Sequence, residues 1–149
     1  MGAIDKFQDN WGLIFTRPEG GHVVLPEDIS EVPSETLGSL MSKLTAWSNY
    51  IETQLAIAED KERQLLRKKG IIEAELLEQY PQVKGERITA IKSKISVHPD
   101  VLDADDAYEE AYAYRRLVKV LYDNYERDRS LVSREITRRG EQARKGFGV

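Results

Sequence analysis

The chain has 149 residues, 40% of them hydrophobic and 32% charged, with a formal net charge of −4 and no cysteine. Without cysteine there can be no disulfide, no thiolate-held metal and no cysteine nucleophile, and the length suits one domain with a modest core. Met1-Gly2-Ala3-Ile4-Asp5-Lys6 lacks an apolar signal core and no apolar run is long enough to cross a membrane, so a soluble cytoplasmic protein with no membrane partner is expected.

Residues 1–33 read differently from the rest. Gly12-Leu13-Ile14-Phe15-Thr16 and His22-Val23-Val24-Leu25 are β-rich runs on either side of Arg17-Pro18-Glu19-Gly20-Gly21, whose proline and glycines supply a turn. The pattern predicts a small N-terminal β-hairpin. A lone two-stranded hairpin is marginal in water, so Trp11, Leu13 and Phe15 are expected to pack on a helix or extend a neighbour's sheet. Pro26 and Pro33 bracket a connector.

A long helix is expected from Ser34, an N-cap residue followed by Glu35 near the positive end of the helix dipole. Alternating steps of four and three give Leu37, Met41, Leu44, Ser48, Ile51, Leu55, Ala58, Glu62, Leu65, Lys69, Ile72, Leu76 and Gln79. Nine of these thirteen positions are apolar, which argues for a packed seam. Glu62 and Lys69 weaken it beside Gly70, where a bend or looser packing is expected. Tyr80-Pro81 and Gly85 stop the helix. A shorter amphipathic helix from Glu86 to Val97 follows, with Ile88, Ile91 and Ile95 on one side, and His98-Pro99 ends it. Asp100 is expected to cap a last long helix whose early turns carry Asp103, Asp105, Asp106, Glu109 and Glu110, and Gly140 is a natural stop. Its seam reads Ala107, Ala111, Tyr114, Val118, Leu121, Tyr125, Asp128 and Val132, with Ile136 beyond.

Two long helices with apolar stripes must fold against each other, against other copies, or both. The expected fold is mainly α: a long antiparallel helical hairpin with a short middle helix and the small N-terminal β-hairpin, built into an oligomeric helical assembly. Residues 1–33 form the hairpin and connector, 34–140 the helical domain, and 141–149 a flexible basic tail.

Charge is sorted into blocks. Residues 1–60 hold three cations and ten carboxylates, 61–95 nine and five, 96–114 none and six, and 115–149 ten and five. Two basic blocks on a hairpin could converge on one face, or each could pair with an acidic block. On the first long helix Lys61, Arg63, Arg67, Lys68 and Lys69 form a basic patch, which Lys84, Arg87, Lys92 and Lys94 continue. On the last helix Arg127, Arg134 and Arg138 fall seven and four apart, with Arg129 and Arg139 nearby, and such rows can neutralise successive phosphates. Tyr108, Tyr112, Arg115, Lys119 and Tyr122 interleave rings with cations, the mixture that grips single strands by stacking and charge. The same tyrosines could equally line a subunit interface with their hydroxyls at its wet rim.

Catalytic apparatus is not legible. There is no GxxxxGK[ST] loop, GxGxxG turn or GxSxG elbow, and so no enzyme activity and no cofactor is expected. His22 and His98 lie beside no spaced carboxylate set, and Asp103, Asp106 and Glu110 read more simply as a dipole-favoured first turn than as a metal site.

The layout from Thr36 to Arg139 resembles that of UvsY-type recombination mediators of bacteriophages. The resemblance is carried by Trp47-Ser48-Asn49-Tyr50 and the Lys/Arg-rich half that follows, then by Ala90-Ile91-Lys92-Ser93-Lys94-Ile95 and His98-Pro99-Asp100-Val101-Leu102. The last part is a tyrosine-bearing final helix ending in Ser130-Leu131-Val132-Ser133-Arg134. The hairpin, the acidic first third and the glycine-bearing tail depart from that pattern. The resemblance implies a helical homo-oligomer that binds single-stranded DNA and helps load a recombinase onto strands coated by single-strand-binding protein. It also implies that Lys92, Lys94 and the first-helix patch are DNA contacts. Two other readings stay open: a structural or assembly adaptor, and a viral anti-defence oligomer sequestering a small nucleotide between subunits.

Overall fold

The computed structural model describes residues 2–12, 16–80 and 85–147. It contains helix α1 (Ala3–Trp11), a single 3-10 turn at Ile29–Glu31, α2 (Ser34–Gln79), α3 (Ile88–Ser96) and α4 (Pro99–Gly146). The two long helices pack together as a hairpin. The chain divides into two compact units, Met1–Leu55 with Val118–Val149, and Ala56–Leu117.

In the first unit the core is Leu37, Leu44, Trp47, Ile51 and Leu55 of α2 against Val118, Tyr125 and Val132 of α4. Leu44 and Val132 are wholly buried. Most α2 positions here are those the four-three spacing selects, and Trp47 joins them one position away from Ser48. Val23, Leu25, Ile29 and Val32 pack on the same core from outside the helices.

Those four residues replace the expected β-hairpin, because no strand occurs among the described residues. Leu13, Ile14 and Phe15 lie outside them, but Trp11 closes α1 with 59% of its surface exposed and His22–Leu25 carries no strand partner. The backbone finds side-chain partners instead. The Val23 N–H donates to the Tyr125 hydroxyl at 3.3 Å, and the Arg139 guanidinium donates to the Ile29 and Ser30 carbonyls. These three backbone groups of the strap are met by the helices instead of by a second strand.

In the second unit Ile72 and Leu76 of α2, with Tyr80 just beyond its end, pack with Ile91 and Ile95 of α3 and Val101 of α4. Ile88, expected beside Ile91 and Ile95, is 64% exposed because it opens the helix after the extended Arg87. α4 begins at Pro99, a residue suited to the first helical position because its missing N–H has no partner to lose there. The cap is therefore His98 rather than Asp100: its Nδ1 accepts from the Asp100 N–H at 3.2 Å, and its carbonyl accepts from Val101 and Leu102. Neither Gly70 nor Gly140 interrupts its helix. α4 runs six residues past the expected stop, so residues 141–146 are helical.

The α4 seam is half of the expected one. Ala111, Val118, Tyr125 and Val132 are buried, whereas Tyr114, Leu121 and Ile136 are exposed. Ala107 and Asp128 are half-buried as expected, but at the two exposed seam positions the half-buried residue is the next one, Arg115 after Tyr114 and Tyr122 after Leu121. Polar partners explain this slip. Arg115 meets Glu62, and Ser48 donates to Glu126, which also holds Arg129. The polar seam residues of α2 are thus matched from α4 rather than left as weak points, and Lys69 likewise meets Asp105.

Candidate nucleic-acid interface

The cations nominated by the sequence separate into paired and open groups. Arg115 donates twice to Glu62, from Nε at 2.6 Å and from Nη2 at 3.2 Å, and this bond lowers the Glu62 pKa and raises that of Arg115. Lys94 is held by Glu86, which raises its pKa. Lys119 pairs with Asp123 one turn along α4. Arg138 and Arg139 share Glu135, whose side chain is only 7% exposed. Their hydrogen bonds, Arg138 first, bring the Glu135 carboxyl down to about 2. Arg129 pairs with Glu126, whose pKa is lowered chiefly by the Ser48 hydroxyl and then by Arg129. A phosphate reaching any of these groups would have to compete with a carboxylate already in place, which costs little at the exposed pairs of Lys94 and Lys119 and more where Glu135 is buried.

Lys61, Arg63, Arg67 and Lys68 are exposed on α2 and make no ion pair among the described residues. Helical spacing turns Arg63 and Arg67 away from the seam and sets Lys61 and Lys68 at its flank. Lys68 borders a groove of about 380 Å³ lined also by Leu65, Ile72, Glu75 and Asp103. Arg87 and Lys92 are likewise exposed and unpaired in the same unit. Lys92 edges a second groove of about 380 Å³ with Gly70, Ala74 and Leu77. Lys84 lies outside the described residues. In the first unit Arg127 and Arg134 are exposed and unpaired on α4.

The tyrosine stripe is mostly occupied. The Arg115 and Arg116 guanidinium groups lie 5.0 and 5.7 Å from the Tyr112 ring centre, and the Tyr108 ring stands 6.2 Å from it. Lys119 lies over Tyr122 at 5.7 Å, and burial raises the Tyr122 pKa. Such cation–π contacts fix the rings where bases would have to stack.

Trp47 and Tyr50 stood out in the sequence, but the aromatic cluster built around Trp47 did not. The His22 ring lies 4.7 Å from it and Tyr125 6.3 Å, the Arg17 guanidinium covers its face at 5.3 Å, and Tyr50 meets it edge-on at 6.0 Å. Beside it Arg17 and Pro18 border a groove of about 660 Å³ with Asn49, Tyr50 and Thr53. The elements that assemble this cluster are far apart in sequence, which is why periodicity did not reveal it. Among the described residues no group of three histidines, aspartates or glutamates could hold a metal ion. No protein-family model, curated protein or solved structure matches the chain.

Proposed function

We propose that the protein is a non-enzymatic, self-associating accessory that binds single-stranded DNA, of the recombination-mediator kind and phage-encoded. The observation that carries this reading is the cluster of open cations on α2, with Arg63 and Arg67 on its outer side and Lys61 and Lys68 at the flank. Lys61, Arg63, Arg67 and Lys68 lie within about two turns of one helix and have no carboxylate partner among the described residues. Arg63 and Arg67 stand about 6 Å apart along the axis. Neighbouring cations held on a rigid helix can displace counterions from a polynucleotide backbone without recognising sequence. Arg115, Lys119, Lys94 and Arg138 stand behind these open cations as contacts, because each already has a carboxylate in place. Arg87 and Lys92 are further open cations of the same unit, Lys92 at the groove it shares with Gly70, Ala74 and Leu77 of α2. Several weak sites of this kind reach useful affinity when copies associate, since linked sites bind as one.

Fluorescence anisotropy of a labelled oligothymidine tests the reading. Reversing Arg63 and Arg67 together to Glu should weaken binding about tenfold or more at low salt, and unchanged affinity would remove the α2 face from the function. A second reading, a structural adaptor between proteins, is favoured by the ion pairs that occupy half of the basic residues of α4. It expects no strand binding at any salt concentration.

A further inference from the structure

Within the first unit, Arg129, Ser130, Ser133 and Arg134 of α4 line one groove of about 330 Å³, bordered also by Glu126 and by Met41 of α2. Arg129 and Ser133 stand four residues apart, as do Ser130 and Arg134. An unbroken helix sets such residues side by side, here as two pairs one turn long.

Each of the four has a donor without an acceptor. Ser42, Thr53, Ser93 and Thr137 return their hydroxyls to the carbonyl of the preceding turn, whereas a helical hydroxyl that does not do so faces outward. Ser130 and Ser133 are exposed and make no hydrogen bond through the hydroxyl among the described residues. Arg134 is exposed and has no carboxylate partner there. Arg129 engages Glu126 through Nη1 at 2.6 Å, and its Nε is buried with no acceptor. A buried donor left in that state is rare in a folded protein.

We infer that this groove is a site for a phosphodiester group. Guanidinium forks match phosphate oxygens, and serine hydroxyls donate to the oxygens that remain. Glu126 cancels the charge of Arg129, with which it pairs, and leaves the single positive charge of Arg134. That balance suits the one negative charge of a phosphodiester better than the nearly double charge of a phosphate monoester. A polynucleotide strand and a small cyclic nucleotide both carry such a group, and the groove meets it with the same chemistry. The inference stands apart from the α2 cations, because every group it uses belongs to the first unit.

Anisotropy of labelled oligothymidine and calorimetry with cyclic AMP, both on the full chain, test it. Arg134→Gln keeps a good helix former. It should make the slope of log affinity for the strand against log salt concentration shallower by about 0.7, the share of one phosphate contact. Ser130→Ala combined with Ser133→Ala should weaken strand binding about fivefold or more with the slope unchanged, because a hydroxyl carries no charge. All three positions are exposed, so folding should be retained, and circular dichroism checks this. A strand bound equally well by wild type and both variants, with cyclic AMP left unbound, would overturn the inference and leave the α2 contacts in place. Cyclic AMP bound by wild type and lost in Arg134→Gln, with no strand bound, would support the groove and overturn the proposed function. Binding of neither probe would overturn both.

Discussion

Replacing Tyr125 with Phe isolates what ties the N-terminal strap to the helices. The ring would keep its place in the core and its 6.3 Å stack on Trp47, so packing is conserved. What goes is the hydroxyl, which accepts from the Val23 N–H at 3.3 Å and bonds His22 Nδ1 at 3.2 Å. A neutral hydrogen bond contributes about 0.5–1.5 kcal/mol net, and these two lie at the long end of normal geometry. The expected loss is therefore about 1–2 kcal/mol, a melting shift of about 2–8 °C for a domain of this size. Urea denaturation followed by circular dichroism gives the global figure, and amide hydrogen exchange gives the local one. Protection should fall at Val23 and hold in the middle of α2. A loss above about 3 kcal/mol would mean that the substitution disturbs the core, and unchanged protection at Val23 would mean that the hydroxyl does not hold the strap.

Two further outcomes follow from single residues. Gly70 sits exposed inside α2 with nothing within 4 Å of an added Cβ, so Gly70→Ala should stabilise the protein by about 0.5–1 kcal/mol in urea denaturation. Glu135, held at about 2 against an ordinary 4.5, binds its proton less readily folded than unfolded. Its stabilisation is complete above pH about 4.5 and is lost as pH falls through about 2. Acid denaturation should have a shallower dependence on pH over that window in Glu135→Gln than in wild type.

The long helices and most of the α2 seam were legible because apolar residues at four-three spacing have one economical packing. Leu37, Leu44, Ile51 and Leu55 lie where that pattern puts them. On α4 the same reasoning went astray at two seam positions and at Ile136 beyond them. Hydrophobicity favoured Tyr114 and Leu121, but the inward neighbours are Arg115 and Tyr122, the former held by Glu62 across the seam. A pattern that ranks residues by polarity cannot anticipate a charge that meets its partner on another helix. The strap was read as a hairpin for a related reason: β-rich composition does not say what the backbone bonds to, and the Val23 N–H is bonded to a tyrosine hydroxyl rather than to another strand. Among the candidate contacts, charge alone gave Lys61, Arg63, Arg67 and Lys68, which stay open, and equally gave Arg138, which Glu135 takes up. Only three-dimensional placement separates them.

The salt dependence of single-strand binding tests the central claim most directly. Four phosphate contacts on α2 should give a slope of about −3 for log affinity against log salt concentration, and reversal of Arg63 and Arg67 to Glu should flatten it. Absence of binding at low salt, or affinity that does not change with salt, would contradict the account.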